Sequence, residues 1–399
     1  MTGSSLRPAI LRAPPLAFAR VRVVVCFHEP HLGGATRSVE LIVPLLTERG
    51  WEFSFWAPKP SDLYDELAAR GWDVDGAPRA VEYSLRMWRL EPGTRERIAR
   101  TPGYVRRYRA FLADRKPTLV HANSILTLAE ALIARRDGIP TVLHAHEMLP
   151  LDPRGWMLRR VAWSRLDQVI AVSRPCAARL AWNGKRPTIV YEGAPVPEER
   201  VELRADPRPF TVGTVAVVST RKGSDLFVEA ARLLSERNGD RPFRFQMVGD
   251  AHDAIERDWA RALLARAAAI GIEHIPRTDV LACMRGWDAF MLPSRADPFP
   301  LSMLEAMGSG LPVIGTRRDG IAEQIVPGTG MLIEPENPRA LADAIAWCAA
   351  QPLETRERMG IAARSRVAEH FTLAHQAGAI DQTYRRALAA AGQPVNGDG

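Results

Sequence analysis

Cysteine and long apolar runs are scarce in this chain. Four cysteines occur among 399 residues, and none has C-x-x-C spacing: Cys26, Cys176, Cys283 and Cys348. This argues against a disulfide framework or a zinc ribbon and suits a reducing cytoplasm. No apolar stretch approaches the roughly 20 residues of a membrane-spanning helix. Because Arg12, Pro14 and Pro15 interrupt segment 1–20, we interpret it as a flexible leader rather than a signal peptide.

Motifs that would identify a nucleotide or metal site are also missing. The sequence contains neither G-x-G-x-x-G nor G-x-x-x-x-G-K-[ST], so neither a dinucleotide fingerprint nor a P-loop is available. It also contains no H-E-x-x-H. We therefore expect no cofactor and no requirement for a metal ion.

The composition is that of a soluble globular protein large enough for two domains. The net charge is +7, but it is unevenly distributed. Residues 1–192 carry 29 Lys and Arg against 19 Asp and Glu, or +10, whereas the remainder carries 24 against 27, or −3. A basic first half indicates an anionic partner: a phospholipid surface, a phosphorylated substrate or nucleic acid.

Short apolar runs alternate with helical patterns along the chain. The first half has six such runs, from VRVVVCF at 21–27 to TIVYEG at 188–193, and segments such as TRSVELIVPLLTERG show helical spacing between them. A proline-rich segment at 193–209 interrupts the pattern, which restarts with FTVGTVAVV. Repeated strand–helix–strand units predict a parallel sheet covered on both faces.

The predicted fold is therefore α/β, with two doubly wound, Rossmann-like domains that face each other across a cleft. Ligands are expected in that cleft, beyond the carboxyl ends of the strands. The predicted organisation is a leader at 1–20, an N-terminal domain at 21–192, a linker at 193–209, a C-terminal domain at 210–370, a helix at 371–391 that packs back toward the N-terminal domain, and a disordered tail at 392–399.

Two turns that follow predicted strands are candidates for phosphate binding. Gly33-Gly34 allows a ligand to approach the backbone where the first helix begins, although a tight turn would explain the pair equally well. In the second domain Arg221-Lys222 occupies the corresponding place, beside Gly223. A guanidinium and an ammonium side by side suit a diphosphate, and we prefer that interpretation to a solvated basic turn.

Histidines collect at the strand ends of the first half: His28, His31, His121, His144 and His146. Because strand side chains alternate, His144 and His146 point to the same face. With Glu147 next to them they could suggest a metal site, but polar lining of a cleft is the better explanation.

The segment ADPFPLSMLEAMGSG places two carboxylates, Asp297 and Glu305, eight positions apart. Local rules account for both without any function. Ser302 and Glu305 fit a capping box at a helix start, and Asp297 would be a loop residue before Pro298.

Two stretches, 83–116 and 154–165, mix arginine with aromatic residues. The first contains Trp88, Tyr104, Tyr108 and Phe111, and the second contains Trp156 and Trp163. Each could be an ordinary surface helix with an apolar inner stripe, or a helix that lies on an anionic membrane.

The segment LPSRADPFPLSMLEAMGSGLPVIGTRRDGIAEQI is similar to the signature of GT-B glycosyltransferases of the retaining family-4 type (glycosyl transferases group 1), which use nucleotide sugars. In that family a strand ending in Pro-Ser leads to an acidic residue, and a Glu within Glu-Ala-Met follows before Gly-x-Pro-Val-Ile. The resemblance extends from residue 21 to about 385. It implies the GT-B fold and an enzyme that moves a sugar from a nucleotide-diphosphate sugar to a hydroxyl of a glycan or lipid-linked acceptor.

The resemblance also implies roles for individual residues. Glu305 would bind the ribose hydroxyls, and Asp297 would bind hydroxyls of the transferred sugar near its anomeric carbon. The diphosphate would be held by two loops and one helix start: Gly33, Gly34, Arg221, Lys222, Leu301 and Ser302. Across the cleft, His121 and His144 are catalytic candidates, and Asn123 and His146 are candidates for the acceptor side.

Three positions depart from the family pattern. Asp297 stands where Glu is more common. Val217 stands where many members have an arginine, which Arg221 would replace. A frequent His-x-His reads His121-Ala-Asn123 here, so the acceptor-side histidine stays open among the three strand-end histidines.

Two alternatives remain at this point. A sugar-nucleotide epimerase of the same fold would isomerise its substrate without an acceptor. A non-catalytic binder of nucleic acid or acidic polymer would leave segment 291–316 unexplained, so we expect no nucleic-acid partner.

We expect a cytoplasmic enzyme with a lipid-linked or otherwise anionic acceptor. It would meet that acceptor at the inner face of the membrane, through arginines of the basic half: Arg106, Arg107, Arg159 and Arg160.

Overall fold

The computed structural model describes residues 21–78, 94–206, 209–237, 242–251, 256–276 and 278–393. The leader predicted at 1–20 lies outside these residues, as do Trp88 and the tail from residue 394 onward.

The N-terminal domain is a parallel sheet with helices on both faces. Its elements are β1 (Val21–Cys26), α1 (Gly34–Glu48), β2 (Trp51–Pro58), α2 (Asp62–Ala69), β3 (Val74–Ala77), α3 (Thr94–Arg115), β4 (Leu119–Ala122), a 3₁₀ turn (Ile125–Thr127), α4 (Leu128–Arg136), β5 (Thr141–Ala145), α5 (Pro153–Arg165), β6 (Gln168–Ala171), α6 (Arg174–Leu180) and β7 (Thr188–Ile189). The strand order is β3-β2-β1-β4-β5-β6-β7. The order reverses between β1 and β4, which is where doubly wound sheets bind ligands.

The C-terminal domain repeats this architecture with six strands. Its elements are β8 (Phe210–Val215), α7 (Ser224–Glu236), β9 (Phe243–Val248), α8 (Arg257–Ala269), β10 (Glu273–Ile275), α9 (Val280–Met284), β11 (Ala289–Leu292), α10 (Leu301–Gly308), β12 (Val313–Thr316), α11 (Ile321–Gln324), β13 (Gly330–Ile333), α12 (Pro338–Ala350) and α13 (Leu353–His370). A last helix, α14 (Leu373–Ala390), follows this domain in the chain. The strand order is β10-β9-β8-β11-β12-β13, again parallel. The predicted pair of doubly wound α/β domains is confirmed.

Burial explains why the apolar runs became strands. All four residues of β4, β11 and β12, and all five of β5, are buried, as expected for parallel strands covered on both faces. The sequence missed β3, because Val74–Ala77 reads VDGA and is only half buried. Pairing with β2 holds it at the sheet edge.

The chain crosses between the domains twice, and the two crossings touch. Ala194 pairs with Thr372 in a parallel bridge, and Gly193 donates its N–H to the Gln376 side chain at 2.8 Å. A Cβ on Gly193 would overlap the backbone of Thr372. Glycine is therefore required where the two crossings run side by side.

Helix α14 lies on the N-terminal domain although it ends the described chain. Tyr384 packs edge-to-face on Trp51 with ring centroids 5.0 Å apart, and the Trp51 indole donates to Asp381 at 2.7 Å. Residues of α14 thus complete the core above the first sheet.

The two basic–aromatic stretches have different environments. In α3 the aromatic side chains face inward, because Tyr108 and Phe111 are buried. In α5, Arg159 is also buried and donates to the carbonyl oxygens of Pro150 and Arg179. Including Arg159 among surface cations was therefore wrong, since this side chain ties two segments together.

Candidate functional site

Gly33, the first residue of the glycine pair at the start of α1, lies against a neighbouring carboxylate. Gly33 is the N-cap, and a Cβ there would overlap the side chain of Glu29. Neither glycine has a positive φ angle. Gly33 therefore allows close approach of the Glu29 side chain, rather than a strained turn, and Glu29 lies beside the helix N-terminus.

The loop before α7 is fixed against the exit of β11. Gly223 caps α7 in the left-handed region at φ 69°, and a Cβ there would overlap the carbonyl oxygen of Pro293. Arg221 makes two contacts on the same side, because its carbonyl accepts from Arg295 N at 2.9 Å and its guanidinium donates to Ala296 O at 3.2 Å. The basic loop and the segment that carries Asp297 are thus one unit.

Lys222 and Asp297 form a buried ion pair within that unit. Lys222 Nζ lies 2.6 Å from Asp297 Oδ2, which also accepts from Ser294 Oγ at 3.2 Å. Both side chains are largely shielded from solvent. Burial lowers the pKa of Lys222, and Arg221 lowers it further, while Asp297 and Glu192 oppose the shift.

A turn after β12 supports the backbone of Asp297. Asp297 N donates to Asp319 Oδ2 at 3.0 Å, and Gly320 N donates back to Asp297 O at 3.1 Å. A Cβ on Gly320 would overlap Pro298 O. The Asp-Gly turn therefore holds the loop that carries Asp297.

Glu305 does not form the predicted capping box. The N-cap of α10 is Pro300, Ser302 lies inside the first turn, and no side chain caps this helix. Glu305 instead accepts a hydrogen bond from Arg37 Nη2 at 2.9 Å, across the space between the two domains. Burial raises the pKa of Glu305, and the charge of Arg37 opposes that rise.

Three helices begin at this site without a side-chain cap: α1, α7 and α10. An uncapped helix start leaves backbone N–H groups free and carries partial positive charge. Such a terminus is suited to an anion. The N–H groups of Leu301 and Ser302 belong to one of these three starts.

His121 and His144 lie in the interior of the first domain. Both are fully buried, and His121 Nδ1 is 2.6 Å from the hydroxyl of Tyr384 in α14. Burial lowers the pKa of His121 to about 3 and lowers the pKa of His144 well below 6.5. Both side chains are therefore neutral, and neither has a surface in the site.

His146 follows His144 at the strand end, and both of its ring nitrogens donate a hydrogen bond. Asn123 Nδ2 donates to Ala35 O at 2.9 Å, so Asn123 Oδ1 must accept from His146 Nε2 at 2.9 Å. His146 Nδ1 lies 2.8 Å from the carboxylate of Glu192. Two donating nitrogens define an imidazolium.

The pKa of His146 agrees with this assignment. Burial lowers it, but the hydrogen bond and charge of Glu192, with the charges of Glu147 and Glu29, outweigh burial and raise it. An imidazolium held by two acceptors has no free lone pair. In this arrangement His146 supplies fixed positive charge, and it cannot act as a base.

Charged side chains at the strand ends of the two domains interact electrostatically. Burial raises the pKa of Glu29, whereas Arg221 of the second domain lowers it. Burial also raises the pKa of Glu147, whose carboxylate accepts hydrogen bonds from the Ser124 hydroxyl and, at 3.1 Å, from Ile125 N. Carboxylates at the strand ends of the first domain, Glu29 and Glu147, thus lie close to the basic loop of the second.

No group of three or more His, Cys, Asp or Glu side chains in the described part of the chain is arranged to hold a metal ion. Among the helices that the structure describes, none is long and apolar enough to cross a membrane.

Known proteins match the chain over both domains. The model of the Glycosyl transferases group 1 family matches residues 195–366, and that of Glycosyltransferase Family 4 matches residues 32–196. The lipopolysaccharide core biosynthesis mannosyltransferase LpsB of Rhizobium meliloti is 30% identical over 57% of this chain and 69% of that protein. The chain belongs to the family-4 type of GT-B glycosyltransferases.

Other relatives agree with this assignment. The alpha-maltose-1-phosphate synthase of Mycolicibacterium smegmatis is 28% identical over 68% of this chain and 80% of that protein. The crystal structure of Anabaena HepE in complex with UDP-glucose has a TM-score of 0.76 at 17% identity, and it covers 91% of this chain and 99% of that one. The resemblance found in the sequence is confirmed, and the chain is a nucleotide-sugar-dependent glycosyltransferase.

This glycosyltransferase brings together most of the residues that its sequence singled out. Asp297, Lys222 and Arg221 form one unit, and Glu305 lies in α10, the helix that follows it. The sequence did not identify Arg37, Glu29 or Glu192. Arg37 follows Gly33-Gly34 by three positions, but only the fold places its guanidinium beside Glu305.

Proposed function

We propose that this glycosyltransferase takes a sugar from a nucleoside-diphosphate sugar and transfers it, with retention of anomeric configuration, to a hydroxyl of a glycan or lipid-linked acceptor. The observation that carries the proposal is the buried Lys222–Asp297 pair at 2.6 Å. A lysine held at the start of an uncapped helix is suited to the diphosphate, and a carboxylate beside it is suited to the hydroxyls of the attached sugar.

The donor would extend from α10 to the loop before α7. Glu305 accepts the ribose hydroxyls. Lys222, Arg221 and the N–H groups of Leu301 and Ser302 hold the diphosphate, with Gly33-Gly34 approaching from the first domain. Asp297 binds the transferred sugar. The name of the UDP-glucose complex of HepE supports a uridine nucleotide as the first donor to test.

Catalysis is electrostatic in this proposal. Negative charge develops on the leaving diphosphate as the glycosidic bond breaks, and fixed donors aimed at it stabilise the transition state. Lys222, Arg221 and the free helix starts supply that charge, so we propose that no metal ion is needed. Full activity in excess EDTA would support this, and loss of activity restored by Mg²⁺ or Mn²⁺ would contradict it.

His146 replaces His121 and His144 in our assignment of the first-domain histidine. It lies at the strand end, whereas the other two are fully buried. As an imidazolium that donates a hydrogen bond to Asn123, it supplies a fixed positive charge on the acceptor side, in addition to the charges of Lys222 and Arg221. We therefore assign His146 to the substrate side, with the buried Asn123 as the partner that fixes its ring, and leave His121 and His144 to the core.

The lipid-linked acceptor draws support from an exposed surface on the first domain. Leu151, Trp156 and Met157 are 75%, 47% and 39% exposed. The guanidinium of Arg160 lies 5.6 Å from the Trp156 ring, and Arg154 is on the same helix. Apolar and aromatic tips flanked by arginine are suited to the interface of an anionic membrane.

Product analysis tests the reaction itself. Purified protein is incubated with nucleotide sugars, with and without a glycan or lipid extract, and the product linkage is read by NMR. Release of nucleoside diphosphate and an unchanged anomeric configuration are expected. An inverted product would contradict retention. Isomerised nucleotide sugar without an acceptor product would indicate an epimerase, which the transferase relatives do not favour.

A further inference from the structure

The contact between Arg37 and Glu305 joins the two domains at the nucleotide end of the proposed donor site. Arg37 belongs to the first turns of α1, and Glu305 belongs to α10 of the other domain. The Glu305 side chain is 5% exposed and that of Arg37 is 41% exposed. A carboxylate that is this well buried needs a compensating charge or hydrogen bonds, and Arg37 supplies both.

The two carboxylate oxygens of Glu305 have different surroundings. Arg37 Nη2 donates to Oε1 at 2.9 Å, and no hydrogen bond to Oε2 occurs among the described residues. One oxygen is thus held by the protein, while the other is left for a ligand hydroxyl. Without the hydrogen bond and charge of Arg37, the Glu305 carboxylate would be free to rotate or to take up a proton.

Arg37 itself has a spare donor. Its Nε–H is buried and finds no hydrogen-bond partner within the described part of the chain. Leaving a buried donor unpaired is unfavourable unless a ligand or water completes it. The unpaired N–H and the free oxygen of Glu305 are two independent indications that a polar ligand is bound here.

Charges around Glu305 other than Arg37 are engaged elsewhere. On α11, Glu323 accepts from Arg174 N at 2.8 Å and from Tyr191 OH at 2.6 Å. On α13, Arg364 donates to Gly308 O at the far end of α10. The adjoining strands β11 and β12 carry no ionisable side chains. The charge that controls the ionisation of Glu305 is therefore that of Arg37.

We propose that Arg37 is a positioning residue of the donor site, which holds Glu305 ionised and oriented so that its free oxygen can accept the ribose hydroxyls. The inference rests on the proposed function. Since Arg37 comes from the first domain, nucleotide affinity then depends on how the two domains are placed. Binding of the nucleotide to the second domain is thereby coupled to closure of the cleft.

Calorimetry on the purified full chain tests this role. The dissociation constant of UDP, or of GDP or ADP if UDP does not bind, is measured at pH 6, 7 and 8 for the wild type, four single variants and the double variant Arg37→Met with Glu305→Gln. Arg37→Met removes the charge, Arg37→Lys keeps it, and Glu305→Gln removes the carboxylate. Arg174→Met is the matched control, because it removes another arginine that faces a glutamate of the other domain, at 3.7 Å.

The expected pattern separates positioning from direct contact. Arg37→Met binds about tenfold more weakly than the wild type at pH 6 and recovers toward pH 8, because loss of an opposite charge raises the pKa of a buried carboxyl. Arg37→Lys keeps the pH profile of the wild type with intermediate affinity. Glu305→Gln is weak at every pH, and adding Arg37→Met to it changes nothing further. Arg174→Met binds as the wild type does.

Three results would overturn the inference in different ways. Wild-type affinity and pH profile in Arg37→Met, with weak binding in Glu305→Gln, would remove Arg37 from the site and leave the proposed function standing. A loss that is constant with pH and adds to that of Glu305→Gln would indicate direct contact of Arg37 with the nucleotide instead. A wild type that binds no nucleotide would overturn the proposed function and this inference together.

Discussion

Lys222 Nζ and Asp297 Oδ2 are 2.6 Å apart, although 75 residues separate them in the sequence. The loop before α7 and the loop after β11 meet because β8 and β11 are neighbours in the second sheet. Each side chain compensates the charge of the other, since removing either one leaves a poorly solvated charge. The same pair defines where the sugar of the donor would lie.

Replacing Asp297 by Asn tests the role of its charge. The amide keeps the shape and a hydrogen-bond acceptor for Lys222, but it removes the negative charge. We expect kcat to fall about 100-fold, as for the loss of one charged group at a reacting centre. The dissociation constant for nucleoside diphosphate should change by less than about threefold, because that ligand lacks the transferred sugar that Asp297 would contact. A variant that keeps full kcat would remove Asp297 from the reaction.

Gly223 should tolerate no side chain. Its φ of 69° costs an L-residue about 1–2 kcal/mol, and a Cβ would also overlap Pro293 O. We expect Gly223→Ala to lower the free energy of unfolding by more than the control Gly271→Ala. Gly271 has φ 79° with open space around it, so the control isolates the backbone cost. Equal losses in urea denaturation would contradict the overlap.

Much of this arrangement followed from the sequence, for identifiable reasons. Parallel strands that are buried on both faces produce continuous apolar runs, so the six runs predicted in the first half and FTVGTVAVV in the second all coincide with strands of the described chain. The polar strand β3 broke that rule and was missed. The fold and the glycosyltransferase family are confirmed, while the individual site roles stay predictions.

The errors and omissions concern side chains whose partners are distant in the chain. Ser302 and Glu305 had the spacing of a capping box, but Pro300 begins the helix and Glu305 turns to Arg37, 268 residues earlier. Arg159 had the composition of a surface cation, but backbone oxygens hold it inside. Local spacing contains no information about such contacts, which only the folded topology creates.

His144 is expected to reduce stability at acidic pH. It is fully buried, both ring nitrogens lack a partner among the described residues, and its folded pKa lies well below 6.5. Below pH 6.5 the unfolded chain takes up a proton that the folded chain cannot hold, so the free energy of unfolding falls by about 1.4 kcal/mol per pH unit.

His144→Leu should therefore stabilise the protein, and more at pH 5.5 than at pH 8. Chemical denaturation at the two pH values measures this, with His370→Leu as the control at an exposed position. An equal effect of His144→Leu at both pH values would show that its ring titrates normally.

His146 should have the opposite pH dependence. Its folded pKa is raised, so its stabilising contribution is fully present below the unfolded value of 6.5. The contribution is lost as the pH rises through the raised pKa. We expect the difference in unfolding free energy between the wild type and His146→Gln to be larger at pH 6 than at pH 9. A difference that does not change with pH would contradict the imidazolium assignment.

The exposed apolar surface of the first domain should bind anionic lipid. The triple change Leu151→Ser, Trp156→Ser, Met157→Ser should abolish cosedimentation with phosphatidylglycerol vesicles. Trp347→Ser with Ile361→Ser removes comparably exposed apolar side chains from the second domain and should leave binding intact. Equal binding by all three proteins, or binding to neutral phosphatidylcholine vesicles alone, would contradict an anionic membrane partner.

Nucleotide binding is the property that Lys222 must provide if the proposed donor site exists. Thermal unfolding and calorimetry are run with UDP, GDP, ADP, dTDP and CDP on the wild type, on Lys222→Ala and on Arg237→Ala, a control at the opposite end of α7. A nucleotide at a hundred times its dissociation constant adds about 2.7 kcal/mol of stability. We expect one nucleotide to bind the wild type and Arg237→Ala equally and to bind Lys222→Ala at least about tenfold more weakly. Equal binding to all three proteins, or to none, would contradict it.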